Sequence, residues 1–286
     1  MSEHAALRRV WLCADDYGLS SGVNRGIRDL IEQQRLNATS VMVVGAAIAR
    51  DDIHALKAVT SDARCAIGLH VTLTAPFHPL TIYYRPLSGG AFASLPAMLR
   101  ASLLRQLDRE IIHAEIAAQL ARFVELFGHP PDYVDGHQHV QLFPQVRDAF
   151  LAAVKDAAPK AWVRQCGRPR SSGPRFGNPK AMLLDILSAR FRTLSSAAGL
   201  TFNPAFSGAY DFTRERKFGD VMPGFLQGLP DESLVMCHPG FVDATLIELD
   251  PLTHQREQEY QFLMSDEFLH LLRAQSIALI EPPPRT

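Results

Sequence analysis

Two kinds of apolar pattern alternate along the chain. Short, β-rich apolar runs cover Arg9–Ala14, Thr39–Gly45, Cys65–Val71, Asp132–His137, Ala161–Cys166, Leu200–Ala205, Ser233–His238 and Ser276–Ile280, and each reads as a strand. Longer amphipathic stretches lie between them: Val23–Gln34, Leu107–Phe127, Pro144–Ala157, Pro179–Ala198, Arg214–Gln227 and Leu252–Gln275, the last with a break expected near Ser265. Leu107–Phe127 carries Ile111, Ile112, Ile116, Leu120, Phe123, Val124 and Phe127 at helical spacing, with Gly128 as a stop. Asn178-Pro179 reads as an N-cap followed by a first-turn proline, and Ser265-Asp266-Glu267 can open a new helix.

This alternation predicts an α/β protein with a mostly parallel sheet and helices packed outside it. The run Ser40–Val44 is apolar enough for a strand buried on both faces. A closed barrel and an open doubly wound sheet both satisfy the periodicity. With no tandem repeat and no low-complexity linker, residues 1–286 are expected to form one domain. Two segments interrupt the rhythm. Ala75–Arg105 is rich in proline, with Phe77, Tyr83, Tyr84 and Phe92 interleaved, and could cover a sugar or form a dimer contact. Gly167–Gly177 sets Arg168, Arg170 and Arg175 among prolines, glycines and serines, as a functional or simply solvated loop.

Composition narrows the classes. A chain of 286 residues, 47% hydrophobic and 21% charged, is globular rather than disordered or fibrous. A net charge of −1 supplies no basic field for nucleic acid. Met1–Arg9 lacks the apolar centre of a signal peptide, and no apolar run has the ~18 residues of a membrane span, so a cytoplasmic location is expected. Cys13, Cys65, Cys166 and Cys237 are widely separated and read as buried small hydrophobes, not as a disulfide framework or structural zinc site.

Candidate chemistry sits where strands end. Ala14-Asp15-Asp16-Tyr17-Gly18 closes the first run. Two adjacent carboxylates are costly to bury unless a divalent cation or a cap absorbs them: one could bind the ion while the other handles a proton, or either could cap the next helix. Gly68-Leu69-His70 closes the third run, with His70 as ligand or as hydrogen-bonded core imidazole. Asp135-Gly136-His137-Gln138-His139 closes the fourth. Strand alternation would put Asp135, His137 and His139 on one side, the carboxylate accepting a ring N–H while the other nitrogen binds metal. Cys237-His238-Pro239-Gly240 closes the seventh. Asp15/Asp16, His70, His137/His139 and His238 are thus far apart in the chain yet expected at one edge of the sheet. A carboxylate with imidazoles suits Mg²⁺, Mn²⁺, Zn²⁺ or Fe²⁺, and one Asp with two His leaves positions open for water and substrate.

These motifs resemble the signatures of the YdjC-like carbohydrate deacetylases, which include chitooligosaccharide deacetylases and hopanoid-biosynthesis-associated homologues. Asp250-Pro251, Arg256-Glu257, Glu259-Tyr260 and Leu263–Glu267 resemble that family's closing segment. The resemblance implies a distorted, TIM-barrel-like (β/α) barrel related to polysaccharide deacetylases. It implies a divalent cation, Mg²⁺ foremost with Zn²⁺ or Mn²⁺ as alternatives, held by Asp16, His70 and His137. Asp15 would be the catalytic base, and His238 the acid or a partner of the transition state. Asp135 would support the ligands, His139 would support them or line the pocket, Arg164 could contact a sugar hydroxyl or a carboxylate or form a structural ion pair, and Asn24 could line the pocket. The implied reaction is removal of an N-acetyl group from an amino sugar or short oligosaccharide, in a protein of a family where dimers are common. Tyr17 stands where many members have Phe, and Gln141 where a third His is common. Rival readings are hydrolysis of another amide or ester, a phosphodiesterase using two metals, and a non-catalytic sugar-binding barrel.

Overall fold

The computed structural model describes residues 6–169, 179–211 and 216–282. Most of the arginine-bearing segment Gly167–Gly177, the cap residue Asn178 and the start of the expected helix at Arg214 lie outside the described residues. In chain order the elements are β1 (Arg8–Tyr17), α1 (Ser21–Glu32), β2 (Ala38–Val41), α2 (Arg50–Ala63), β3 (Ala66–Val71), β4 (Leu87–Ser88), β5 (Ala91–Phe92), α3 (Leu95–Leu103), α4 (Arg109–Phe127) and β6 (Tyr133–Gly136). After a 3-10 turn (His137–Leu142) come α5 (Val146–Ala157), β7 (Trp162–Val163), α6 (Pro179–Ala198), β8 (Phe206–Ser207), α7 (Phe218–Leu226), β9 (Ser233–Cys237), α8 (Ala244–Leu249), α9 (His254–Met264), α10 (Asp266–Ala274) and β10 (Ile277–Leu279).

The main sheet is parallel, in the order β7-β6-β3-β2-β1-β9-β8, with β10 beside the start of β1. Its two edges meet. Val163 N–H donates to Thr201 O (2.9 Å), Phe206 N–H donates to Gly167 O (3.0 Å), and Val163 bridges Phe202. The sheet therefore curls into a distorted (β/α) barrel rather than an open doubly wound sheet. Helices cover it in the expected way. Asp108 caps α4 by accepting from the N–H groups of Glu110 and Ile111, and Ile112, Ile116, Leu120, Phe123 and Phe127 bury its inner stripe. Among the described residues no helix is long and apolar enough to cross a membrane, and all four cysteines are buried and unbridged.

Several boundaries differ from the sequence reading for local reasons. The apolar run Thr39–Gly45 leaves the sheet after Val41, because residues 42–47 fold back onto the end of β1: Met42 N–H reaches Tyr17 O (2.8 Å) and Ala47 N–H reaches Gly18 O (2.8 Å). Burial, not strand pairing, accounts for the rest of that run. The expected strand Leu200–Ala205 is irregular. Pro204 has no N–H to give, and the Asn203 amide takes over the pairing, accepting from Gln165 N–H (2.9 Å) and donating to its carbonyl (3.0 Å). Helix α2 has no counterpart in the sequence reading, and the excursion 75–105 contains both the β4–β5 hairpin and α3. The expected break at Ser265 separates α9 from α10, with Ser265 Oγ capping α10 by accepting from Phe268 N–H (3.3 Å).

Inside the barrel, Tyr133 lies across Gly68, its register partner on β3, and stacks on Trp162 with centroids 4.4 Å apart. A Cβ on Gly68 would collide with the Tyr133 ring. The Tyr133 hydroxyl in turn meets Cys13 Sγ (2.9 Å) and Ser40 Oγ (3.0 Å). Gly68→Ala is therefore expected to push the ring and its hydroxyl out of place and to lose about 1–3 kcal/mol of stability, the usual range for overpacking. A urea midpoint equal to wild type would show that the ring moves freely.

Candidate active site

The strand ends bring four chemistry-bearing segments together. At the end of β1 the register with β2 shifts between Ala14 and Tyr17, and Asp16 has left-handed backbone (φ 71°). Adjacent strand residues normally point to opposite faces; this irregularity lets Asp15 and Asp16 both approach His70, with Oδ2 and Oδ1 at 3.9 and 3.4 Å from its Nε2. Neither Asp caps α1. That role falls to Ser20, whose Oγ accepts from Val23 N–H.

Arg164, directly after β7, is fully buried and organises one half of the site. Its guanidinium grips Asp15 with two parallel bonds, Nη1 to Oδ2 and Nη2 to Oδ1, each 2.6 Å. Nη2 also lies 2.6 Å from Asp135 Oδ2, 3.0 Å from Cys13 Sγ and 3.2 Å from Ser40 Oγ. Ser40 Oγ donates to Asp135 Oδ2 (2.6 Å), while Asp135 Oδ1 pairs with His70 Nδ1 (2.6 Å). The site is thus a connected run from Asp15 through Arg164 and Asp135 to His70. Burial alone would raise the Asp15 carboxyl; the Arg164 guanidinium, with help from His70, holds it well below the usual carboxylate range. Asp15 is therefore ionised.

Asp16, His70 and His137 each offer one ligand atom, all within 4.8 Å of one another, and all three side chains are buried. Asp16 Oδ1 is 3.0 Å from His137 Nδ1. With Nδ1 of His70 turned to Asp135, its Nε2 is the nitrogen available to a ligand. Three buried carboxylates (Asp15, Asp16, Asp135) face two buried guanidiniums (Arg164, Arg256). Arg256 is also shared with the half-buried Asp250, so carboxylates outnumber guanidiniums when both imidazoles are neutral. Burial would lower the His70 imidazole, but Asp135 and Asp15 push it up to about 10, so the surplus of negative charge draws a cation or a proton to this place. A divalent cation would balance that surplus, and the donor set of one carboxylate oxygen and two imidazole nitrogens fits one. A second acidic group, Cys13–Asp15–Asp135, is equally compact, but the Arg164 guanidinium already fills it.

The remaining sequence candidates separate. Asp135 does not orient His137 or His139; it orients His70, its register partner across β3 and β6. The strand ends at Gly136, and Gln138 and His139 take left-handed backbone (φ 54° and 59°), which ends the alternation. His139 sits with Nδ1 3.5 Å from Cys166 Sγ and its ring edge-on to Phe206 at 5.5 Å. Burial, reinforced by Arg164, lowers the His139 pKa to about 3, so this imidazole is neutral. His238 is half-buried and close enough to Asp15, His139 and Glu259 to feel each electrostatically. Its backbone N–H donates to Glu259 Oε2 (2.5 Å), and the following turn packs on α1 where Gly240 meets Gly26 without room for a Cβ. Asn24 does not line the pocket. It locks the turn after the Asp pair, accepting from Gly18 N–H (2.6 Å) and donating to Ala47 O (2.7 Å). Gln141 is likewise buried, behind Arg164, donating to its carbonyl (3.2 Å).

Residues that the sequence reading gave no role complete the site. Ser40 and Tyr133 belong to the barrel network. Arg256, on α9, donates from Nη2 to Asp16 Oδ2 (2.7 Å). The available signal was a helix with charged residues at 256 and 259 where a core-facing stripe would be apolar. Of the aromatics in the excursion, Phe77, Tyr84 and Phe92 are buried and only Tyr83 is strongly exposed. Phe77 stands edge-on to His137 at 5.8 Å, and the loop is pinned to α4 by Glu115, which accepts from the N–H groups of Leu80 (3.0 Å) and Thr81 (2.9 Å).

A parallel α/β barrel with a buried carboxylate–imidazole cluster at the carboxyl ends of its strands defines the class, and the comparisons narrow it. The chain belongs to the YdjC-like protein family, which matches residues 9–274. Its fold is similar to that of a provisionally named cellobiose-phosphate cleavage protein from Enterococcus faecalis, with TM-score 0.75 and 17% identity over 96% of this chain and 98% of that one. It is also similar to a Streptococcus mutans CE4 esterase (TM-score 0.51, 14% identity, 96% and 85% covered) and to a lactam utilization protein from Thermus thermophilus (TM-score 0.50, 14% identity, 97% and 100% covered).

Removing one member of a buried ion pair leaves its partner uncompensated, at about 3–5 kcal/mol. Arg164→Met strands two carboxylates and is expected to lose at least that much in urea unfolding. A loss below about 1 kcal/mol would mean that other groups neutralise Asp15 and Asp135.

Proposed function

We propose that this protein is a divalent-cation-dependent hydrolase that removes an N-acetyl group from an amino sugar or short oligosaccharide. The observation that carries the reading is the meeting of an ionised, arginine-held carboxylate, Asp15, with the Asp16–His70–His137 donor set in one buried neighbourhood. Membership of the YdjC-like family and likeness of fold to a CE4 esterase support it. Two imidazoles with one carboxylate favour Zn²⁺ over the Mg²⁺ placed first above, with Mn²⁺ as an alternative.

Asp16, His70 and His137 would hold the cation. When bound, it would lower the pKa of a water and polarise the acetyl carbonyl. Asp15 takes the proton of the attacking water. A carboxylate held well below its usual range is a weak base, so it serves only for an acidified water, and the fork of Arg164 keeps both its oxygens aimed. His238, directly after β9, gives a proton to the departing sugar amine or hydrogen-bonds the oxyanion. His139, neutral beside Phe206, lines the pocket as a hydrogen-bonding wall. Asp135 and Arg164 act through His70 and Asp15 rather than on substrate, since both are fully buried among protein partners. A phosphodiesterase using two metals is disfavoured, because the second acidic group is occupied by Arg164.

The test is acetate release from N-acetylated chitooligosaccharides. Activity should vanish with a chelator and return with Zn²⁺ or Mn²⁺. Asp15→Asn should still take up the cation but turn over about 10²–10⁴-fold more slowly, the usual share of an acid–base group. An undiminished rate in Asp15→Asn would remove it from the base role, and chelator-resistant acetate release would sink the cation.

A further inference from the structure

Helix α9 sends a charged side chain into the barrel from outside the sheet. Arg256 is fully buried. Its Nε donates to Leu252 O (3.0 Å), and its Nη2 bridges Asp250 Oδ2 (2.8 Å) and Asp16 Oδ2 (2.7 Å). Two of these contacts come from the segment leading into α9, so the guanidinium is held in place before it meets Asp16. Asp16 itself needs holding, because its left-handed backbone removes it from the regular strand geometry. The division of its oxygens is clear: Oδ2 faces Arg256, while Oδ1 faces His137 Nδ1 (3.0 Å) and His70 Nε2 (3.4 Å).

We propose that Arg256 is a positioning residue for the cation site: it commits one oxygen of Asp16 to itself, so that Asp16 offers a single oxygen beside the two imidazoles and leaves a position open for water and substrate. This rests on the cation-dependent reading above. Two physical effects of removing Arg256 oppose each other. Losing a nearby positive charge would strengthen cation binding by Coulomb attraction. Losing the hydrogen bond frees a ligand to rotate, and hydrogen-bond partners of metal ligands are typically worth about 10–100-fold in affinity. The two anchors of Arg256 apart from Asp16, Leu252 O and Asp250, make orientation the larger effect.

The experiment uses Co²⁺ as the probe on the metal-stripped full-length protein, read by titration and by its visible absorption spectrum. Arg256→Gln is expected to bind Co²⁺ about 10–100-fold more weakly, with weaker d–d absorption as a second Asp16 oxygen joins the coordination. Asp250→Asn keeps Arg256 but removes one of its anchors, and should move affinity and spectrum the same way by less; it carries the test alone if Arg256→Gln does not fold. Unchanged affinity and spectrum would overturn the proposal. So would tighter Co²⁺ binding by Arg256→Gln, which would make Arg256 a charge rather than a guide. Failure of the wild-type protein to bind Co²⁺ would overturn the cation reading itself, an outcome distinct from the other two.

Discussion

A guanidinium buried among carboxylates sets the terms for the whole site. Asp15 and Asp135 are removed from water inside a barrel, where an unpaired carboxylate is very expensive. Arg164 meets both with one planar fork, and its neighbours Ser40 and Cys13 occupy the space around Nη2. Arginine suits this position because its five donors are fixed in a plane and it stays charged when buried. From that centre the order passes outward. Asp135 is held, so His70 is held through Nδ1; His70 is held, so its Nε2 faces Asp16.

Barrel closure and site assembly depend on each other. Arg164 follows β7, an edge strand that would be poorly placed in an open sheet. It is fixed because residues 163–167 bond to residues 201–206, which in turn pair with β9 and hence with β1. Around the closed ring β9 and β8 still stand between the strand that carries Asp15 and the strand that precedes Arg164, so the two side chains meet across the inside of the barrel. Glycine–glycine contact between α1 and the turn after His238 seats another wall of the site, and the pinned excursion brings Phe77 to His137. The aromatic residues of that excursion mostly form its own small core, which is why it can stand over the site without a long strand or helix beneath it.

Much of the fold was legible because the buried strands are mostly apolar and each outer helix is apolar on one face. β1, β3, β6 and β9 fall within a few residues of their apolar runs, and α4 ends at its glycine stop. The candidate ligands were legible for a related reason: Asp16, His70 and His137 are polar residues at the ends of otherwise apolar strands, where α/β folds keep solvent access. What alternation misread was the stretch after Asp135. It assumed an extended chain through His139, whereas the chain turns at His137 and the partner of Asp135 is supplied by another strand. Periodicity describes one segment at a time and cannot express a register between two.

Taken by itself, the order of residues determined which positions are buried, which segments become strands and helices, and which end of the sheet carries reactive groups. Those follow from local pattern and from the free-energy cost of burying polar atoms. The choice between a closed and an open sheet, the pairing of Asp135 with His70, and the reach of Arg164 to Asp15 and of Arg256 to Asp16 were decided only by the tertiary structure. These contacts join residues 65 to 240 positions apart, and no local propensity fixes the relative placement of segments so remote. Packing decides it, because the closed arrangement buries the apolar faces and pairs the enclosed carboxylates with Arg164 and Arg256 at once.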